Sequence, residues 1–159
     1  MKNNLTELVF IMDRSGSMAG LESDTIGGFN GMLAKQKKEE GDALVTTVLF
    51  DDGFAVLHDR MDIKTVKPIT SRDYYVRGCT ALLDAVGKAI MMIKQREKAT
   101  SKEERAGKVL FVITTDGLEN ASKEFTYEKI KKMIEKQTEK YGWKFLFLVA
   151  NIHAAAEAA

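Results

Sequence analysis

The feature that most constrains this chain is a pair of unbroken apolar runs, each of which stops at a turn rich in acid, hydroxyl and glycine. Leu8-Val9-Phe10-Ile11-Met12 passes directly into Asp13-Arg14-Ser15-Gly16-Ser17, and Val109-Leu110-Phe111-Val112-Ile113 into Thr114-Thr115-Asp116-Gly117. Runs of this length, rich in β-branched and aromatic residues and lacking polar alternation, suit strands covered on both faces. The abrupt switch in chemistry marks where each strand ends. Residues 13, 15 and 17 carry hard oxygen donors on a turn that Gly16 permits, and Gly78-Cys79-Thr80-Ala81 lies between the two runs. Asp13, Ser15, Ser17, Thr80 and Asp116 thus offer two acids and three hydroxyls at strand ends, a donor set suited to a hard divalent cation.

The remaining sequence alternates strands with amphipathic helices. The first strand is expected over residues 6–13. Ser23 or Asp24 can cap a helix that runs to about Glu40, with Ile26, Phe29 and Leu33 on its apolar face. Gly27, Gly28 and Gly31 weaken this helix and are read as letting it approach the sheet closely. Residues 44–50 form a second strand, Asp52-Gly53 signals a hairpin with positive φ at the glycine, and residues 54–60 return antiparallel as an edge strand. Residues 61–77 are irregular. Leu82, Val86, Ile90 and Ile93 mark a second helix, ended by a charged, disordered-looking stretch at 94–107. Residues 108–115 form the central strand. Tyr127, Ile130, Met133 and Ile134 mark a third helix stopped by Gly142, and residues 144–150 form the last strand. The alanine run in 151–159 favours a short helix.

This alternation predicts one α/β domain over residues 1–159: a Rossmann-like, doubly wound, mostly parallel sheet with one antiparallel edge strand and helices on both faces. In such sheets, ligands bind beyond the carboxyl ends of the strands. Asp13 and Asp116 both lie at such ends, and they share one crevice if their strands are neighbours.

The three strings together resemble the von Willebrand factor A domain and its metal-ion-dependent adhesion site. That family's pattern is D-x-S-x-S, a separate Thr, then a separate Asp followed by Gly. The matching positions are Asp13, Ser15, Ser17, Thr80 and Asp116, and the resemblance covers almost the whole chain. It implies a bound Mg2+ or Mn2+. Ser15 and Ser17 would bind the ion directly, Thr80 directly or through water, and the two acids would hold coordinated waters, orient the hydroxyls or bind directly. With mostly neutral ligands, the ion keeps much of its charge and can take a carboxylate from a partner's Asp or Glu. The implied activity is metal-bridged protein binding with no chemical step. The family commonly adds a strand and helix after the point reached near Ala150. This chain is therefore expected to lack the last strand, either as a minimal version or as a shortened one, which leaves a sheet edge open for a homodimer.

Around this site, Arg14, Met18, Tyr74, Tyr75, Arg77, Leu118 and Glu119 are the expected partner-binding rim, since Tyr and Arg are favoured interface anchors. The alternative is that one tyrosine packs inside and Arg77 pairs with a nearby acid. Asp51-Asp52 would lie at the same edge and either add negative charge there or form a plain turn. Asp84, in the first turn of the second helix, reads as structural.

Bulk properties narrow the function further. The chain has 159 residues with 24 basic and 23 acidic side chains, a net charge of +1 that disfavours general nucleic-acid or anionic-membrane binding. A single cysteine, Cys79, excludes an intrachain disulfide or a cysteine-based zinc site, and it reads as a small packing residue. There is no signal-peptide pattern and no apolar stretch long enough to span a bilayer, so a stand-alone, bacterial-type cytoplasmic protein is expected. Two other functions compete. One is a magnesium-dependent phosphoesterase-type hydrolase, although no D-x-D or H-x-x-x-H string stands beside the acids. The other is an interaction domain whose metal site is vestigial and which uses its helices or its open sheet edge.

Overall fold

The computed structural model of the chain describes residues 2–115 and 122–149. Five strands form one sheet: β1 (Lys2–Asp13), β2 (Asp42–Phe50), β3 (Phe54–Asp62), β4 (Ala106–Thr115) and β5 (Lys144–Val149). Their spatial order is β3-β2-β1-β4-β5. β1 pairs parallel with both β2 and β4, β5 pairs parallel with β4, and β3 alone runs antiparallel at the edge. Three helices connect them: α1 (Glu22–Lys38), α2 (Leu82–Ala99) and α3 (Tyr127–Tyr141). This is the expected doubly wound α/β arrangement. The expected absence of a last strand and the alanine-rich helix both fall at 150–159, outside the described residues.

The unbroken apolar runs are explained by two cores, one on each face of the sheet. Alternate side chains of a strand point to opposite faces. Leu8, Phe10 and Met12 accordingly pack with Phe29 and Leu33 of α1, while Val9 and Ile11 pack with Ala85, Ala89, Ile90 and Ile93 of α2. Ile130 of α3 and Trp143 complete the second core, where Trp143 stacks on Phe111 with ring centroids 5.4 Å apart.

Several local expectations are corrected. α2 continues through the charged residues to Ala99, followed by a short turn of 3-10 helix at Lys102–Glu104, because its buried face extends to Ile93 and its exposed last turns tolerate charge. α1 starts at Glu22 with Leu21 at the capping position and no side-chain cap, so neither Ser23 nor Asp24 has that role. Gly27, Gly28 and Gly31 do not seat α1 against the sheet, since a Cβ at any of them would meet nothing within 4 Å. Tyr127 is exposed rather than part of the apolar face of α3. The stop at Gly142 is as expected: its φ of 68° is the left-handed conformation of a helix C-terminus, and its N–H donates to Thr138 O at 3.1 Å. The β2–β3 hairpin forms, but positive φ at Gly53 is not what closes it. The Asp51 N–H donates to Gly53 O at 3.1 Å, and the Gly53 N–H donates back to Asp51 Oδ1 at 3.0 Å.

One polar contact within the apolar sheet has no counterpart in the sequence reading. β1, not the strand over 108–115 as expected, is central in the sheet, and its Glu7 is buried and receives a forked ion pair from Arg60, with Nε 3.1 Å from Oε1 and Nη2 3.1 Å from Oε2. Arg60 reaches across β2 from the bulged edge strand, and its N–H donates to Thr46 Oγ1 at 3.1 Å. Burial raises the Glu7 pKa above its usual 4.5, although the Arg60 guanidinium pulls it down. Removing Arg60 leaves a buried, unpaired carboxylate, so Arg60→Ala is expected to lose about 3 kcal/mol of stability in urea denaturation at pH 7. The raised native pKa sets the sign of the pH dependence. The penalty on the charged form is relieved as pH falls through that raised value toward 4.5, so the deficit of the variant should narrow on acidification from pH 7 to about pH 5.

Candidate functional site

Parallel pairing of β1 with β2 and β4 brings three strand carboxyl ends to one edge of the sheet. In register, Asp13 lies opposite Phe50 of β2, and Met12 lies opposite Thr114 of β4. Asp13 is fully buried. Its Oδ1 accepts the Ser15 N–H at 2.8 Å and its Oδ2 accepts the Thr115 hydroxyl at 2.9 Å. The carbonyl of Asp13 accepts the Tyr74 hydroxyl. The first two partners orient the carboxylate and the third holds the backbone of the same residue, all through neutral donors.

The next residues make one turn of 3-10 helix, Gly16–Met18, with Ser15 at its N-cap. A capping serine normally spends its oxygen on a backbone N–H. Here no such side-chain bond forms, and Ser15 Oγ instead lies 2.9 Å from Ser17 Oγ. Ser15 is buried and Ser17 exposed, so the pair runs from the interior to the surface. Thr80 is buried on the neighbouring segment, between two backbone tethers. Gly16 N–H donates to Gly78 O at 2.9 Å, and Ala81 N–H donates to Asp51 O at 2.8 Å. Asp13, Ser15, Ser17 and Thr80 thus belong to stitched loops at one strand edge. Asp116, Leu118 and Glu119 lie outside the described residues.

The rim needs revision. Met18 and Tyr74 are buried and unavailable to a partner, and Arg14 is turned inward with its Nε buried. Tyr74 is instead a support for Asp13. Tyr75 is half exposed, as is the side chain of Arg77, whose Nε donates to Asp51 Oδ2 at 2.8 Å. One tyrosine therefore packs inside and Arg77 pairs with an acid, as the alternative reading had it. Cys79 is exposed, so it is not a packing residue.

Two acids outside the expected ligand set turn out to build the edge. Asp51 is 1 % exposed yet carries Arg77, the Gly53 N–H and, at 3.7 Å, the Arg14 Nε. Burial pushes its pKa up, but the Gly53 N–H and the two guanidinium groups outweigh that and hold it below the usual carboxylate value. Its position after a strand parallel to β1 was legible, but its burial was not. Asp84, in the first turn of α2, accepts backbone N–H groups from Lys123 at 2.8 Å, Glu124 at 3.0 Å and Phe125 at 2.9 Å. Burial raises its pKa, and these donors more than reverse that, so it too stays below the usual value. Gly87, one turn further along α2, lets Phe125 lie against the helix, since a Cβ there would stand 2.5 Å from the ring. Asp84 is structural, as expected, and what it anchors is the chain entering α3.

The donor set fits a hard divalent ion. Among the described residues, no three His, Cys, Asp or Glu side chains cluster together. What the edge offers is one buried carboxylate and three hydroxyl oxygens, the neutral-rich oxygen shell that Mg2+ or Mn2+ accepts while keeping waters. No helix among the described residues is long and apolar enough to cross a membrane.

No family model matches the sequence, and no curated protein sequence matches it. Solved structures do resemble it. A von Willebrand factor type A protein from Catenulispora acidiphila is 14% identical over 91% of this chain and 33% of its own, with a TM-score of 0.59. An aerotolerance-related membrane protein from Bacteroides fragilis is 15% identical over 89% of this chain and 66% of its own, with a TM-score of 0.53. BatB, a conserved hypothetical protein from Bacteroides thetaiotaomicron, is 17% identical over 89% and 65%, with a TM-score of 0.51. At these identities the likeness establishes a von Willebrand factor A-like fold. The chain spans between a third and two thirds of the length of these proteins.

The Asp84 anchor yields a prediction. Asp84→Ala removes the acceptor for three backbone N–H groups and should cost about 2–3 kcal/mol, read from urea denaturation, with faster amide exchange at 123–125. A depressed native pKa gives stability that is complete above the unfolded value of 3.8 and is lost as pH falls through the native value. Asp84→Asn should therefore flatten the acid limb of the stability profile below about pH 4.

Proposed function

We propose that this chain is a protein-interaction module that binds a partner's Asp or Glu through a divalent cation, Mg2+ or Mn2+, at the carboxyl edge of the sheet. The observation that carries the reading is the Ser15–Ser17 hydroxyl pair. It is not used for capping, it runs from the buried Asp13 to the surface, and it is tied by Gly16 to the segment bearing Thr80. In this reading, Ser15, Ser17 and Thr80 hold the ion, with Asp13 and Asp116 orienting hydroxyls or coordinated waters. The ion itself supplies a Lewis-acidic centre that attracts a carboxylate. In this reading the buried Asp13 carboxylate supplies negative charge behind the hydroxyls, and the neutral hydroxyls leave the ion positive enough to take the partner's acid. The exposed faces of Tyr75 and Arg77 flank the approach and would contact the partner surface. The function is binding without a chemical step, in a cytoplasmic protein of bacterial type.

The test is calorimetric titration of Mg2+ and Mn2+ into metal-stripped protein. Ser17→Ala is the informative variant because Ser17 is exposed and its hydroxyl meets only that of Ser15 among the hydrogen bonds of this turn, so the fold should survive. Saturable binding, weakened about tenfold or more in Ser17→Ala and abolished in Asp116→Ala, is expected for the loss of a direct ligand and of a charged one. Wild-type protein that takes up neither ion, alone or with an acidic peptide present, would sink the metal bridge.

A further inference from the structure

We propose that Asp51 is a positioning residue for this crevice: it holds the segment bearing Thr80 in place against the serine loop, although it lies on a different turn from either. The proposal rests on the metal reading above and extends it to a residue outside the ligand pattern. Four observations converge on it. The Asp51 carbonyl accepts the Ala81 N–H at 2.8 Å, immediately after Thr80. The Asp51 carboxylate takes Arg77 Nε at 2.8 Å, three residues before Thr80, and approaches Arg14 Nε at 3.7 Å, on the serine loop. Arg77 N–H donates to Arg14 O at 2.6 Å, which closes a ring of contacts through the two loops and the β2–β3 turn. Gly78 is pressed against this turn: at its φ of +64°, a Cβ would stand 2.5 Å from Asp51 Oδ2 and 2.3 Å from Asp52 Oδ1.

The consequence is physical. Thr80 lies on a short segment pinned at both ends by Asp51, once through its side chain and once through its backbone. Only Gly78 and Cys79 separate Arg77 from Thr80, so slack at Arg77 is transmitted to the threonine hydroxyl. Asp51 also offsets two guanidinium charges beside a cation site. Arg14 has its Nε buried, and no acceptor among the described residues reaches it, so the Asp51 carboxylate is the compensating charge nearest to it in this ring. Replacing Asp51 would then do two separable things: loosen the Thr80 segment and leave positive charge uncompensated.

Asp51→Asn keeps the side-chain shape, an acceptor for the Gly53 N–H and the whole backbone, so its folding can be checked by its urea midpoint. The expected result is a Mn2+ affinity lowered about 10- to 100-fold, as for other residues that orient metal ligands from behind. Amide exchange at 77–81 should be faster in the metal-free variant, and the paramagnetic resonance spectrum of the remaining bound Mn2+ should be altered. Unchanged affinity and unchanged exchange at 77–81, with the wild type binding Mn2+, would overturn the proposal and leave the metal site standing. Full recovery of affinity by Arg77→Gln in the Asp51→Asn background would also overturn it, because the effect would then be one of charge and not of placement. A wild type that binds no Mn2+ would overturn the metal reading and this proposal with it, whereas the exchange measurement would still report whether Asp51 fastens the segment.

Discussion

Everything at the candidate site depends on the parallel pairing of β1 with strands on both sides. A strand flanked in parallel by β2 and β4 has its carboxyl end beside theirs, so the strand ends at residues 13, 50 and 115 must share an edge. Parallel strands require crossovers, and here those crossovers are helices that cover both faces. The same constraint that makes Leu8 to Met12 uniformly apolar therefore also gathers the polar turns. Chemistry at the edge and burial in the middle are two consequences of one pairing. Glu7 is the exception within the strand. It is tolerated because a guanidinium from the bulged edge strand reaches it and satisfies both of its oxygens.

Three buried or nearly buried acids at this edge are treated in three ways, and the differences fit their tasks. Asp13 is oriented by neutral donors, the Ser15 amide and the Thr115 hydroxyl. Asp51 meets guanidinium groups, so its charge is offset and its work is to join loops. Asp84 meets a row of backbone amides and acts as an anchor for the chain entering α3. Hydrogen bonds to a carboxylate from neutral donors lower its pKa without removing its field. The arrangement with a serine amide and a threonine hydroxyl as donors is found at the position that the sequence motif assigns to the metal.

Much of this was legible in the sequence because it rests on local rules. The strand ends at Asp13 and Thr115, the helix stop at Gly142 and the hairpin around Gly53 all follow from residue types in order. What was not legible depends on which side of an element meets which neighbour. Tyr74 and Tyr75 are adjacent and chemically alike, yet one reaches the Asp13 carbonyl and the other faces solvent. Their separation is set by how the irregular segment after β3 crosses the sheet, and no periodicity encodes that. The α1 glycines misled for the opposite reason. They suggest close packing, but the helix turns them outward and seats Phe29 and Leu33 instead. From sequence, Asp51 reads as either added charge at the edge or a plain turn, because its acid-acid-glycine string is sufficient for a turn. Its second role comes from Arg77, 26 residues away.

The two clamps on the edge differ in kind, and that difference bears on how the site could respond to its surroundings. On one side, the Thr80 segment is fastened partly by an ion pair whose arginine is half exposed. Such a pair is screened by salt and open to competition from another carboxylate. On the other side, the chain entering α3 is fastened by amides to a carboxylate that solvent barely reaches, and by Phe125 lying on Gly87. That clamp is made mainly of backbone amides, with the Lys88 charge a lesser contribution. In the proposed reading, a partner bringing an acid to this edge would meet Arg77 as well as a bound cation, so the adjustable fastening would be the one nearest the incoming group. The rigid fastening lies behind it, on the helix that packs into the core. An edge built this way can yield at the Thr80 segment while α2 and the sheet stay fixed, because the apolar contacts of Ala85, Ala89 and Ile90 with β1 do not depend on the ion pair.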